Sequence, residues 1–154
     1  MNHSEHALQG AFEHKLDPKC RVSVPADWRN VAGSGQLRLL QSSSYELPAL
    51  RVLTEEEYDD MLKTVDAMEG WSPAQKKKMK GKIHSRSQKV SMSDQGKLLV
   101  PKAWCSHPEI EPGEAIKLVG RGTYFEILNL ANYAVMEARE DEETKILNEE
   151  VDFF

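Results

Sequence analysis

Two stretches decide the fold: Asp17-Pro18-Lys19-Cys20-Arg21-Val22-Ser23-Val24-Pro25-Ala26-Asp27-Trp28 and Ser93-Asp94-Gln95-Gly96-Lys97-Leu98-Leu99-Val100-Pro101-Lys102-Ala103-Trp104. They stand at a constant offset of 76 residues, and the pairs Arg21/Lys97, Val24/Val100, Pro25/Pro101 and Trp28/Trp104 keep their chemistry. Each reads as a polar turn, a basic residue, a short apolar strand, a proline that cannot continue the ladder, and a helical turn carrying tryptophan. Upstream, Phe12, His14 and Leu16 alternate with Glu13 and Lys15, and Val90 and Met92 alternate with Ser91 and Ser93, as half-buried strands do. Downstream, strand candidates at Leu37 to Leu40 and Leu50 to Leu53 are matched by Ala115 to Val119 and Tyr124 to Leu128, with connectors rich in Gly, Ser and Pro.

Each half is therefore about four short strands, too few to bury both faces of a sheet alone. Pairing the halves predicts one pseudo-twofold barrel with a shared core and with Arg21 and Lys97 at equivalent places. A helix is expected after each half. Thr54 caps the first, with Glu55, Glu56 and Glu57 in its first turn and Tyr58, Met61, Leu62 and Val65 on one face. The second runs from about Leu130 into the acidic tail. The expected organisation is an N-terminal segment 1–10, a first domain 11–57, a helical connector with a basic run 58–85, a second domain 86–129 and an acidic helix and tail 130–154.

The 154 residues carry a formal charge of −5, with 40% hydrophobic and 29% charged side chains, the composition of a soluble globular protein. The charge is unevenly placed, since residues 71–102 hold nine basic side chains against one acidic, between two acidic stretches. Ser72-Pro73 opens this block as a helix start, followed by Lys76, Lys77, Lys78, Lys80 and Lys82, with Met79 and Ile83 four apart on one face. The segment Met1–Gly10, with His3, Glu5 and His6, has no apolar run, and no stretch is long enough to span a membrane, so a cytoplasmic protein is expected. Cys20 and Cys105 are expected to be free thiols. Gly33-Ser34-Gly35 and Gly120-Arg121-Gly122 lack the third glycine and the helix of a dinucleotide site. His3, His6, His14, His84 and His107 have no metal-ligand spacing. No catalytic residue, cofactor, metal or small-molecule substrate is expected.

The motif Asp17-x-Lys19-x-Arg21, then Val22-x-Val24-Pro25-x-x-x-Arg29, resembles the MraZ family, as do Gln95 to Pro101 and Lys117-Leu118-Val119-Gly120 through Phe125-Glu126-Ile127. The likeness covers roughly residues 11–133. MraZ proteins are bacterial transcriptional regulators of the division and cell wall gene cluster, built from two domains of the SpoVT-AbrB type. The resemblance implies a mainly β protein with short helices (α+β): a double-split, swapped-hairpin β-barrel with peripheral helices. It also implies a homo-oligomeric ring, binding to short repeated promoter sites on double-stranded DNA, and residence in the cytoplasm on the nucleoid. This chain departs from the family pattern with Cys20 where glycine is usual, Ser93 for Asp, Lys97 for Arg, and Cys105 at the position matching Arg29. A cysteine at position 20 must accept a positive φ, at about 1 kcal/mol, or reshape the turn.

Repetition and resemblance together predict that Lys19, Arg21, Gln95 and Lys97 project to one face and contact DNA. Arg21 is placed to read bases, and Lys19 and Lys97 to hold phosphates. Arg29 is a further candidate, with an ion pair to Asp27 or to another subunit as its other reading. Trp28 and Trp104 read as core or subunit-interface side chains. The alternative function is a ring-forming interaction protein of the same fold whose DNA binding is weakened or lost.

Overall fold

Hydrogen bonding across the repeat builds the sheet. The computed structural model describes residues 7–30 and 35–154; His3, Glu5, His6, Gly33 and Ser34 lie outside the described residues. The first half runs β1 (Ala11–Lys15), β2 (Arg21–Ser23), α1 (Ala26–Arg29), β3 (Gln36–Ser44), β4 (Leu47–Thr54) and α2 (Glu55–Asp66). After α3 (Pro73–Ser85) come β5 (Ser87–Ser91), β6 (Lys97–Leu99), a 3-10 turn (Lys102–Trp104), β7 (Ala115–Gly120), β8 (Tyr124–Asn129) and α4 (Leu130–Val151). Antiparallel sheet plus helices makes this an α+β fold, as expected.

Six strands lie in the order β1-β7-β8-β4-β3-β5, and β2 and β6 form a separate antiparallel pair. The bounds of β5 and β6 are those of β1 and β2 shifted by 76 residues. Reading the large sheet from either edge gives the same succession of equivalent strands, which puts the pseudo-twofold axis between β4 and β8. Each edge strand is exchanged: β1 of the first half pairs with β7 of the second, and β5 of the second pairs with β3 of the first. Neither half could close its own sheet.

Strand alternation then assigns the two faces. Leu37, Leu39, Leu50, Val52, Ile116, Leu118, Phe125 and Ile127 line one face and pack with Val22, Val24, Leu98 and Val100 into the main core, so the β2–β6 pair covers this face. Trp28 is buried here between Phe12, at 5.3 Å edge-on, and Phe125, at 5.0 Å, with its indole N–H donating to the Gln9 carbonyl. Trp104 packs at the margin of the same core.

Helices cover the other face in two equivalent patches. Leu40, Leu53, Tyr58, Val65 and Ile83 bury under α2 and α3, and Ala49, Val119, Leu128 and Met136 under α4. Thr54 caps α2 by accepting from the Glu57 N–H, and Asn129 caps α4 by accepting from the Asn132 N–H. Equivalent cations stack on equivalent rings: Arg38 lies 4.5 Å from the Tyr58 centroid and Lys117 lies 4.8 Å from that of Tyr133. α3 starts at Ser72 with a capping box closed by Gln75. Of its anticipated apolar pair only Ile83 is buried; Met79 stays 40% exposed. A single apolar anchor suffices because α3 also leans on α2 through Lys76, which donates to the Asp66 carbonyl, and Lys80, which pairs with the Asp66 carboxylate.

A buried polar cluster joins α4 to the sheet. Glu126, only 2% exposed, accepts from Ser44 Oγ (3.0 Å) and from Arg121 Nε (2.7 Å), and Arg121 also donates to Glu140 (2.6 Å). Burial alone would depress the Arg121 guanidinium, but its hydrogen bonds to the two carboxylates outweigh this and hold it above its ordinary value. The hairpin turn between β3 and β4 places both Tyr45 and Glu46 at positive φ, 50° and 72°. That turn is held from α4, where Tyr45 Oη donates to Glu140 and Arg139 donates to the Tyr45 carbonyl.

Candidate nucleic-acid interface

The two repeated turns share one construction. In the first, Asp17 Oδ1 accepts from the backbone N–H groups of Lys19 (2.9 Å) and Arg21 (2.8 Å), the Asp17 N–H donates to the Arg21 carbonyl (2.9 Å), and the Cys20 N–H donates to the Asp17 carbonyl (3.0 Å). In the second, Ser93 Oγ accepts from the Lys97 N–H (3.1 Å), the Ser93 N–H donates to the Lys97 carbonyl, and the Gly96 N–H donates to the Ser93 carbonyl. A serine thus does at position 93 what an aspartate does at 17. The turn requires a left-handed residue in fourth place, Gly96 at φ 77° and Cys20 at φ 60°. Cys20 therefore accepts the positive φ rather than reshaping the turn.

The side chains that follow differ in what holds them. Arg21 Nε donates to Asp17 Oδ2 at 2.9 Å, and its side chain keeps 43% of its surface exposed. Hydrogen bonds from the Arg21 backbone N–H and then from its guanidinium, together with the Lys19 N–H, hold the Asp17 carboxyl below the usual carboxylate range. The pair fixes the guanidinium plane while leaving its other N–H groups to solvent. Lys97 has no such carboxylate, because Ser93 replaces it, and its Nζ instead donates across the ladder to Ser23 Oγ.

Ladder geometry brings both basic residues to one face. Register pairs Arg21 with Leu99, Val22 with Leu98 and Ser23 with Lys97. Val22 and Leu98 point into the core, so Arg21, Ser23, Lys97 and Leu99 share the outward side. Two residues of strand rise and one strand spacing separate the Arg21 and Lys97 Cα atoms by about 8 Å. Lys19 and Gln95 are exposed on the turns at opposite ends of this ladder.

Arg29 belongs to the same surface. Its Nε donates to the Val24 carbonyl at 3.1 Å, and its guanidinium crosses Gly96, where a Cβ would stand 2.0 Å from Nε. The alternative pairing with Asp27 is not formed. Arg29, from the first half, thus completes the turn of the second half beside Gln95 and Lys97. Its counterpart at the first turn is Cys105, a buried thiol pushed up to about 11 by burial and by the adjacent Cys20. Each turn consequently holds one arginine, Arg21 at the first and Arg29 at the second.

The basic run does not join this surface. α3 packs over Leu40 and Leu53 on the helix-covered side of the sheet, opposite the face covered by β2–β6. The positive block of the sequence is divided by the fold into a helix and a turn. Arg121, Glu126 and Glu140 carry no local signal in the sequence, because their contact joins a glycine-flanked turn, a strand and a helix.

Among the described residues no group of three or more His, Cys, Asp or Glu is placed to hold a metal ion, and no helix is long and apolar enough to cross a membrane. No family model matches the chain. A transcriptional regulator MraZ of Ruegeria pomeroyi is 28% identical over 135 residues, covering 82% of this chain and 79% of its own. Another of that name, from Polaromonas sp., is 27% identical over 137 residues, covering 86% of this chain and 89% of its own. The solution structure of PHS018 from Pyrococcus horikoshii aligns with 76% of this chain and 94% of that one, at a TM-score of 0.35 and 17% identity. The two regulators bear out the resemblance to the MraZ family along four-fifths of the chain.

Proposed function

We propose that this MraZ-like chain is a DNA-binding transcriptional regulator that reads double-stranded DNA through the outward face of β2–β6 and its two turns. The observation that carries the reading is the shared construction of the turns, with Arg21 and Lys97 on the outward side of one ladder, Lys19 and Gln95 exposed on the turns that flank it, and Arg29 lying against Gly96. Arg21, oriented by Asp17, reads a base edge through the planar fork that lysine lacks. Lys19 and Lys97 hold phosphates, and Arg29 and Gln95 make the second turn's contacts.

The strand exchange between halves supports reading the fold as the double-split, swapped-hairpin barrel of two SpoVT-AbrB type domains, 11–57 and 86–129. A single barrel with so few base contacts binds one short site weakly. We therefore extend the reading to a homo-oligomeric ring on repeated promoter sites, where effective concentration raises avidity by roughly 10² to 10⁴. Exposed Ile146, Leu147, Val151, Phe153 and Phe154 on and after α4 supply apolar surface for such assembly. The upstream region of the division and cell wall gene cluster is the proposed target, on the nucleoid in the cytoplasm, and no catalytic role is proposed.

Loss of the second arginine at Cys105 favours a second reading, a ring-forming protein with weakened DNA binding. The test is titration of the full-length protein against duplex from that upstream region and a scrambled duplex, across a salt series. A regulator gives a preference for the upstream duplex and a steep fall of affinity with salt. Equal affinity for both duplexes at every salt concentration would leave the second reading.

A further inference from the structure

The 76-residue offset relates Cys20 to Gly96 and Cys105 to Arg29. At one turn Arg29 crosses a residue with no side chain, and a Cβ on Gly96 would stand 2.0 Å from its Nε and 2.4 Å from its Cζ. At the other turn Cys20 carries a side chain in the same left-handed conformation, and an arginine at 105 would meet it. Cys105 occupies that place instead. The two departures from the repeat are thus one exchange: a Gly–Arg seat at the second turn, a Cys–Cys seat at the first.

Both cysteines lie in the main core, and Cys105 Sγ reaches the Pro101 carbonyl at 3.8 Å, beside the Val100 N–H that bonds the Cys20 carbonyl. Each cysteine's carbonyl is bonded to a neighbouring segment. The Val100 N–H donates to the Cys20 carbonyl (2.9 Å), and the Ile110 N–H donates to the Cys105 carbonyl (3.0 Å).

We propose that Cys20 and Cys105 form an oxidation site, a dithiol that a peroxide converts to an intramolecular disulfide fastening the turn that carries Lys19 and Arg21. One thiolate attacks the peroxide oxygen, giving a sulfenic acid and releasing one water once protonated. The second thiol attacks that sulfur, the S–S bond forms, and the hydroxyl leaves with the thiol proton as a second water. Two thiols lose two electrons and the peroxide gains them. Closure brings the sulfurs to about 2.05 Å. The exposed turn must take up the movement, because Cys105 is held by the loop behind it. The Cys105 thiol, pushed up to about 11, yields little thiolate near neutral pH and both cysteines are buried, so the rate is set by turn opening and is slower than for an exposed cysteine. Only the consequence for DNA rests on the function proposed above; the chemistry does not.

The test treats the full-length protein with hydrogen peroxide, blocks remaining thiols after unfolding, and maps cysteines by mass spectrometry, with backbone hydrogen exchange on the reduced and oxidised forms. The expected result is a Cys20–Cys105 linked peptide, reversal by dithiothreitol, and exchange at Lys19 to Arg21 slowed by roughly tenfold. Cys105→Ser abolishes the link, and Cys20→Gly does the same with the turn conformation relieved, so one variant suffices if the other folds poorly. Two free thiols after prolonged oxidant, separate oxidation of each cysteine, or a linked protein with unchanged exchange would each overturn the proposal. Displacement of Arg21 is expected to weaken binding to the preferred duplex by roughly fivefold or more. If the disulfide forms and slows exchange but neither redox form binds DNA, the DNA reading fails and the dithiol site stands.

Discussion

Gly96→Ala isolates the seat that joins the two halves at the second turn. Its φ of 77° places alanine in the left-handed region, at a cost of about 1 kcal/mol or slightly more. The added methyl would also stand 2.0 Å from Arg29 Nε, so the guanidinium must leave and lose its 3.1 Å bond to the Val24 carbonyl. A charged donor to a half-buried carbonyl adds about 1 to 3 kcal/mol, for a total of about 2 to 4 kcal/mol. Urea unfolding at fixed protomer concentration measures it, and the melting temperature should fall by roughly 4 to 16 °C. Gly113→Ala serves as control, because Gly113 has φ 89° but a Cβ there would meet nothing within 4 Å, leaving only the backbone cost of about 1 kcal/mol. The double variant Gly96→Ala/Arg29→Ala should be less destabilised than the sum of the singles by about 1 kcal/mol or more. Equal losses for Gly96→Ala and Gly113→Ala, with additive behaviour of the double, would refute the seat.

Other consequences follow from the same contacts. Glu126→Ala should cost about 2 to 3 kcal/mol in urea unfolding, since it removes the 2.7 Å buried partner of Arg121, which keeps Glu140, and leaves Ser44 Oγ without its acceptor; a loss below about 1 kcal/mol would mean the cluster is solvated. Asn129→Ala removes the 2.7 Å cap of α4 and should cost about 1 kcal/mol, seen as lost helical ellipticity on mild heating; an unchanged melt would count against the cap. Asp17 titrates below the usual carboxylate range, so the turn's stabilisation is complete above that range and disappears only as pH falls through the lower folded value. The Arg21 amide shift should titrate with a midpoint below the ordinary Asp value of about 3.9, and a midpoint at or above it would contradict the pairing.

Much of this architecture is legible because it is written twice. The 76-residue offset relates the bounds of β1 to β5 and of β2 to β6, and alternation around Val24 and Val100 marks what is buried. Pairing of β1 with β7 and of β5 with β3 is not readable, since no local pattern tells an edge strand which half it will join. The same holds for Arg29, whose partner Gly96 lies 67 positions away in sequence. The place of the α3 lysine run is not readable for a different reason: residues that are neighbours in sequence need not share a surface, and the apolar anchor Ile83 commits the helix to the opposite side of the sheet. Cys20 and Cys105 read as two independent losses until the fold places them in one seat.

The most direct test compares Arg21→Ala with Lys97→Ala in binding to the preferred and scrambled duplexes across a salt series. Arg21→Ala should erase most of the preference, about 1 to 3 kcal/mol, while Lys97→Ala should weaken both duplexes alike and reduce the salt slope by about one. Full preference retained by Arg21→Ala, or preference lost in Lys97→Ala alone, would contradict the assignment of base reading to the first turn.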